Sequence, residues 1–215
     1  MEIKKMRNTG LKIVSIYLIV QLLSVASQLL PSSIQPTGSI LSQIFLFIFG
    51  ASLMIYLDRK DQFNLPYEQA FRHRIGRILL WGILGVFLAV ILQFLALQIE
   101  VRFFGTPVNS QNTVTLLAII RQYPYFVMIT SIAGPIMEEF VFRKVLFGLS
   151  LGKLGGIGAG VISSLAFALF HIDGRILVYS TMGLVFSWVY YKSGNIWAPI
   201  LAHCLMNTLV VLQTF

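Results

Sequence analysis

The chain has 215 residues, of which 57% are hydrophobic and only 11% charged, with a mean hydropathy of +0.82. Soluble domains carry about 25% charged residues, so this composition excludes an ordinary water-soluble domain and points to several membrane crossings. The formal charge of +8 would suit a nucleic-acid binder, but its distribution does not. Lys4, Lys5, Arg7 and Lys12 lie at or before the first apolar run, and Arg59, Lys60, Arg72, Arg74 and Arg77 fill one later connection. Cytoplasmic loops look like this under the positive-inside rule. No basic helix or aromatic–basic alternation suggests a nucleic-acid groove, so anionic lipid headgroups are the expected partner.

The first apolar run, about 11–30, stops at Pro31. Its basic flank and the Ser24-Val25-Ala26-Ser27 stretch resemble a signal peptide with a cleavage site. The run continues through Leu29 and Leu30 and further spans follow, so a retained span is expected. The second span covers about 40–57 and ends at Asp58; the third runs over about 77–97. The stretch 108–121 is mixed and is expected to begin with an interfacial helix. A fourth span, about 123–149, should kink at Gly134-Pro135. The fifth, sixth and seventh cover about 156–170, 176–191 and 196–212. The expected fold is therefore all-α, a polytopic transmembrane helix bundle of about seven spans. It forms a single domain over 1–215, with N-terminal spans in 1–111 and the remaining spans in 112–215.

Basic residues sort by side. The N-terminus, the 58–77 connection, Lys144 with Lys153, and Lys192 fall on one face; Arg102 and Arg175 fall on the other. The N-terminus is then cytoplasmic and the C-terminus external, in a multi-pass plasma-membrane protein. The single cysteine, Cys204, forms no internal disulfide and reads as a packed thiol. Gly155, Gly156, Gly158 and Gly160 look only superficially like a phosphate loop, since no Gly-Lys-Ser/Thr follows; close helix packing is the expected explanation.

A few polar residues interrupt the later spans, and their spacing follows the helix. Glu139 and Arg143 are four apart with the acid N-terminal, the favourable order for an ion pair on one helix face. Glu138 lies about 100° away around that helix, without such a partner, and is placed to act as a general base. His171 ends the fifth span, one turn beyond Phe167, and His203 and Asn207 share a face of the seventh. His73, between Arg72 and Arg74, reads as solvated. Ionisable groups at membrane depth are functional candidates by default. Two carboxylates, two imidazoles and a carboxamide on three helices could meet inside the bundle and supply a base, an orienting partner and oxyanion donors. Each residue alone could equally be helix–helix glue.

The set Glu138-Glu139-x-x-x-Arg143, Phe167-x-x-x-His171 and His203-x-x-x-Asn207 resembles the three motifs of the CPBP intramembrane protease family, the CAAX-protease and bacteriocin-processing or Abi family. The resemblance covers roughly residues 130–210, inside the 112–215 portion that it marks as a catalytic core. It implies a membrane-embedded endopeptidase acting on a membrane-associated protein or peptide, in bacteria in bacteriocin immunity or peptide maturation. Carried over by position, Glu138 with His171 would activate water and His203 with Asn207 would stabilise the oxyanion. Glu139 with Arg143 would shape the site, and Phe167 would pack around the His171 ring. The family is described both as metal-dependent and as glutamate-type. Zinc held by Glu138, Glu139, His171 and His203 therefore stands beside a metal-independent water. A non-enzymatic immunity or binding protein and a proton-relaying transporter are the competing classes. No internal repeat supports the latter.

Overall fold

The computed structural model describes residues 2–68 and 74–212; Arg72 and His73 lie outside the described residues. The described chain is helical, with no strand among the described residues. Helix α1 spans Glu2–Ala26 and closes with a 3-10 turn, Ser27–Leu29, ahead of Pro31. Helices α2, Thr37–Lys60, and α3, Ile75–Phe104, follow. Gly105 ends α3 in the left-handed conformation, φ 65°, with its N–H donated to the Glu100 carbonyl. In the mixed stretch a helix forms, α4, Gln111–Gln122, capped by the Ser110 hydroxyl, which accepts the Thr113 N–H at 3.1 Å.

The fourth span differs from expectation in its winding. Instead of a simple proline kink, a short α5, Gly134–Glu138, sits between two π-helical segments, Ile129–Ala133 and Glu139–Phe147. A Cβ on Gly134 would lie 2.9 Å from the Ile129 carbonyl oxygen, so the wider turn needs glycine there. The chain continues directly into α6, Gly148–His171, which breaks at Gly155, φ 66° and ψ 175°. The apolar stretch Pro124–His171 holds 48 residues. At about 1.5 Å per residue it would greatly exceed a bilayer core of about 30 Å, so the break divides it into two spans. Gly155 serves that turn, and no atom would meet a Cβ at Gly155 or Gly156. The expectation that these glycines permit close helix packing is therefore corrected for Gly155 and Gly156, whereas a Cβ on Gly160 would meet Leu184 at 3.6 Å. Close approach occurs instead at Gly183, where a Cβ would stand 2.8 Å from Ser164 Cα.

Helices α7, Ile176–Ser193, and α8, Trp197–Leu212, complete the bundle. Four described stretches are long and apolar enough to cross a membrane: Lys5–Leu29, Thr37–Lys60, Ile75–Phe104 and Pro124–His171. α7 packs on α3 and α6, and α8 on α3. Phe186, Val189, Tyr190 and Ala202 are fully buried there, whereas Leu22, Phe45, Phe87 and Phe94 point outward, as lipid-facing residues do.

Polar ties gather the helix ends. At one end Arg77 donates to the Ser193 and Lys192 carbonyls, and Asp61 accepts from Thr9 Oγ1 at 2.8 Å and Lys12 Nζ at 3.2 Å. The Thr9 hydroxyl bond holds the Asp61 carboxyl below its ordinary value. Lys144, grouped by sequence with the loop cations, is buried at this end, its Nζ 2.5 Å from Asp58 Oδ1 and 3.5 Å from Glu68 Oε1. Glu68 also accepts Tyr190 Oη–H and the Leu65 N–H, each at 2.9 Å, and burial raises its carboxyl above the usual range. At the other end Arg175 donates to the Pro107 carbonyl and Ser110 Oγ to Asp173 Oδ2 at 2.7 Å. Glu100 Oε1 accepts the N–H groups of Leu177, at 2.7 Å, and Val178, at 3.1 Å, so a carboxylate of α3 caps the start of α7.

Candidate active site

The π-helical turn after α5 places two adjacent carboxylates in different surroundings. Glu138 lines a cavity of about 730 Å³, and its side chain is 20% exposed, whereas that of Glu139 is 0% exposed. His171 at the end of α6 and His203 and Asn207 on α8 line the same cavity. The four residues that the sequence singles out as catalytic are thus brought together from three parts of the chain.

His203 is the centre of the arrangement. Its Nδ1 lies 2.7 Å from Glu139 Oε1 and its Nε2 lies 3.6 Å from Glu138 Oε2. A buried carboxylate facing Nδ1 accepts a proton from it, so Nδ1–H is the bonded form and Nε2 is the nitrogen turned to Glu138. The ring stacks on Phe186, with centroids 4.8 Å apart and planes at 23°, and meets Phe167 edge-on at 5.8 Å. Arg143 Nη1 lies 3.1 Å from Glu139 Oε1, both side chains fully buried. No guanidinium nitrogen of Arg143 makes an aligned hydrogen bond among the described residues, so the contact is ionic. The guanidinium carbon also sits 4.3 Å from the Phe167 ring centre and 5.2 Å from that of Phe186, a cation–π setting.

Phe167 therefore supports Arg143 and His203 as well as His171, whose ring centre is 4.5 Å away. His171 Nδ1 donates to the Phe167 carbonyl at 2.9 Å, which leaves Nε2 as its free nitrogen. Tyr179 stacks on His171 at 3.8 Å and donates its hydroxyl to Asp173 Oδ2 at 3.0 Å. Asn207 donates Nδ2 to the Thr130 carbonyl at 2.8 Å, which fixes the carboxamide at the cavity wall. Sequence reasoning missed Tyr179, Phe186 and the Thr130 carbonyl. Their roles follow from stacking and a backbone contact, which have no spacing signature.

Zinc would take about three protein ligands plus water. Among the described residues no three His, Cys, Asp or Glu side chains gather as such a set. Glu139 Oε1 is committed to His203 and Arg143, and His171 Nδ1 to its own helix. The four candidates as placed do not fit a zinc centre.

Residues 120–209 match the family described as type II CAAX prenyl endopeptidase Rce1-like. Beyond that stretch, the membrane-embedded CAAX protease MroQ of Staphylococcus aureus is 34% identical over 177 residues, 79% of this chain and 72% of that protein. The chain belongs to the Rce1-like CAAX protease family. A Bacillus subtilis protein named as a putative membrane peptidase, YdiL, is 42% identical over 140 residues, taking in 65% of this chain and 57% of its own length. The UPF0177 protein YaiH of Lactococcus lactis is 33% identical over 91 residues, 41% of this chain and 37% of that one. No solved structure matches. The relatives and the apolar helices describe a multi-pass membrane protein of bacterial type, and the matched stretch holds every residue of the site above.

Proposed function

We propose that this CAAX protease family member is an intramembrane endopeptidase that hydrolyses a peptide bond with a water activated by Glu138. The observation that carries this reading is the division between two neighbouring carboxylates. Glu138 faces the cavity opposite His203 Nε2, while Glu139 is sealed behind it against Arg143. A base must reach its water, and a buried, paired acid is better suited to hold another residue in place.

Glu138 removes a proton from water as the oxygen attacks the substrate carbonyl carbon. The carbonyl oxygen becomes an oxyanion, met by His203 Nε2–H and the free side of the Asn207 carboxamide. Donation from Nε2 requires both ring nitrogens of His203 to carry protons. Glu139, holding Nδ1–H at 2.7 Å, stabilises that cation as the buried acid of a catalytic triad does. Collapse breaks the carbon–nitrogen bond, and the proton held by Glu138, assisted by His171 Nε2, passes to the leaving amine. No step runs through a metal, because the donor set does not fit one.

The substrate in this reading is a membrane-associated bacterial protein or peptide, and the setting is bacteriocin immunity or peptide maturation. The basic flank of α1 and the shared end formed by Arg77, Lys192 and Lys144 support a cytoplasmic N-terminus. The N-terminal spans and the 112–215 portion act as one domain, since residues of both line the cavity. The test maps peptide termini in membrane and secreted fractions of cells expressing wild type or Glu138→Gln at matched levels. Termini made by wild type and absent from the variant are expected. Identical termini, with the phenotype retained, would leave the carboxylates structural and favour a binding protein.

A further inference from the structure

The stretch 120–209 that matches the family model supplies the catalytic residues of the cavity, and α1, α2 and α3 supply further lining. Each contributes one carboxamide: Gln21, Gln43 and Gln93 all line the cavity that holds Glu138. Gln93 is the only amide, hydroxyl or charged side chain from Ile78 to Leu97. It makes no hydrogen bond among the described residues. Gln43 Nε2 reaches the Ser27 and Ser39 hydroxyls only at 3.4 Å, which is long for a hydrogen bond. Gln21 lies one helical turn beyond Tyr17, which lines the same cavity. Amides with unused capacity at membrane depth are costly unless a ligand engages them.

We infer that Gln21, Gln43 and Gln93 are recognition points, contributed by three helices around the cavity, for the backbone of an extended, unprenylated polypeptide segment. This rests on the proteolytic reading above. A peptide bond inside a helix has its carbonyl tied to the N–H four residues on, so a membrane substrate must unwind before water can attack it. Unwinding in a bilayer strands backbone N–H and C=O groups that lipid cannot satisfy. A carboxamide offers both a donor and an acceptor, matching each stranded pair. An isoprenoid chain has neither, and placing one against these carboxamides would leave them unpaired. Side chains of α1, α2 and α3 therefore set the substrate class.

The test uses a peptide spanning a cleavage site mapped as above, made with and without a farnesyl group, and as a series in which single backbone amides become esters. Wild type in lipid nanodiscs is expected to cleave the unmodified peptide without needing the farnesyl group. Gln93→Leu should lower kcat/KM roughly tenfold, the scale of one lost hydrogen bond. At one position the ester should weaken cleavage by wild type but add nothing to the loss in Gln93→Leu, a coupling that a folding defect does not produce. Gln21→Leu repeats the experiment from a different helix. Gln98→Leu, on an exposed position of α3, should behave as wild type. Wild-type rates in Gln93→Leu and Gln21→Leu, or cleavage of the farnesylated peptide alone, would overturn the inference while leaving the protease reading intact. Absence of any cleavage by wild type would remove both.

Discussion

Replacing Arg143 by Met separates the fold from the chemistry. Arg143 and Glu139 are 0% exposed, with Nη1 3.1 Å from Oε1. At that separation, and with an effective dielectric of about 20, their attraction is about 5 kcal/mol. Part of it offsets desolvation, and breaking a buried pair by removing one partner costs about 3–5 kcal/mol. For a chain of this size each kcal/mol shifts Tm by about 2–4 °C. Arg143→Met should therefore lower Tm by roughly 6–20 °C in thermal unfolding of the detergent-solubilised protein. The double variant Glu139→Leu with Arg143→Met removes both charges, and it should recover at least half of that loss. It should nevertheless remain inactive, because His203 Nδ1 has lost its acceptor. A shift below about 2 °C for Arg143→Met, or a double variant as unstable as the sum of the singles, would refute the buried-pair account.

Other consequences concern helix ends, packing, pH and metal. Glu100→Ala should lose about 1–2 kcal/mol, since two N–H groups of α7 are left unpaired, read as a Tm drop of several degrees. Gly183→Ala should destabilise by about 1–3 kcal/mol, because its Cβ meets backbone at Ser164 and not a flexible side-chain tip. The Glu68 carboxyl is raised in the folded chain by burial, so the fold binds its proton more tightly than the unfolded chain does. Its contribution is fully present below the ordinary Glu value of 4.5 and is lost as pH rises through the raised value. Glu68→Gln should flatten that decline in a Tm-against-pH series. Asp61, lowered by the Thr9 hydroxyl, acts oppositely: its contribution disappears as pH falls through the lowered value, and Thr9→Val should remove that acid-side loss. Cleavage should survive dialysis against a chelator, and zinc-restorable activity would contradict the metal-free step.

Spacing along a helix makes the Glu139–Arg143 pair legible in the sequence alone, and apolar runs do the same for the seven helical segments. What spacing does not show is the partner across the bundle. Glu139 and His203 are 64 residues apart, and nothing local marks their contact or turns His203 Nε2 toward Glu138. The π-helical winding is hidden for a related reason: residues 129–147 read as a helix kinked at Gly134-Pro135, and the wider turns depend on tertiary packing. Lys144 resembles a loop cation because Asp58 and Glu68, which hold it in the interior, come from a distant connection. Gln21, Gln43 and Gln93 stand as isolated polar residues in separate spans. Only the cavity shows that they line one space.

The most direct test of the central claim is cleavage of the mapped peptide by purified wild type and Glu138→Gln in matched nanodiscs, each folded by its thermal transition. If Glu138 is the base, the variant should lose roughly 10²–10⁴ in kcat with binding retained, the usual contribution of a positioned general base. Cleavage by Glu138→Gln within a few-fold of wild type would contradict the account and return Glu138 to a structural role.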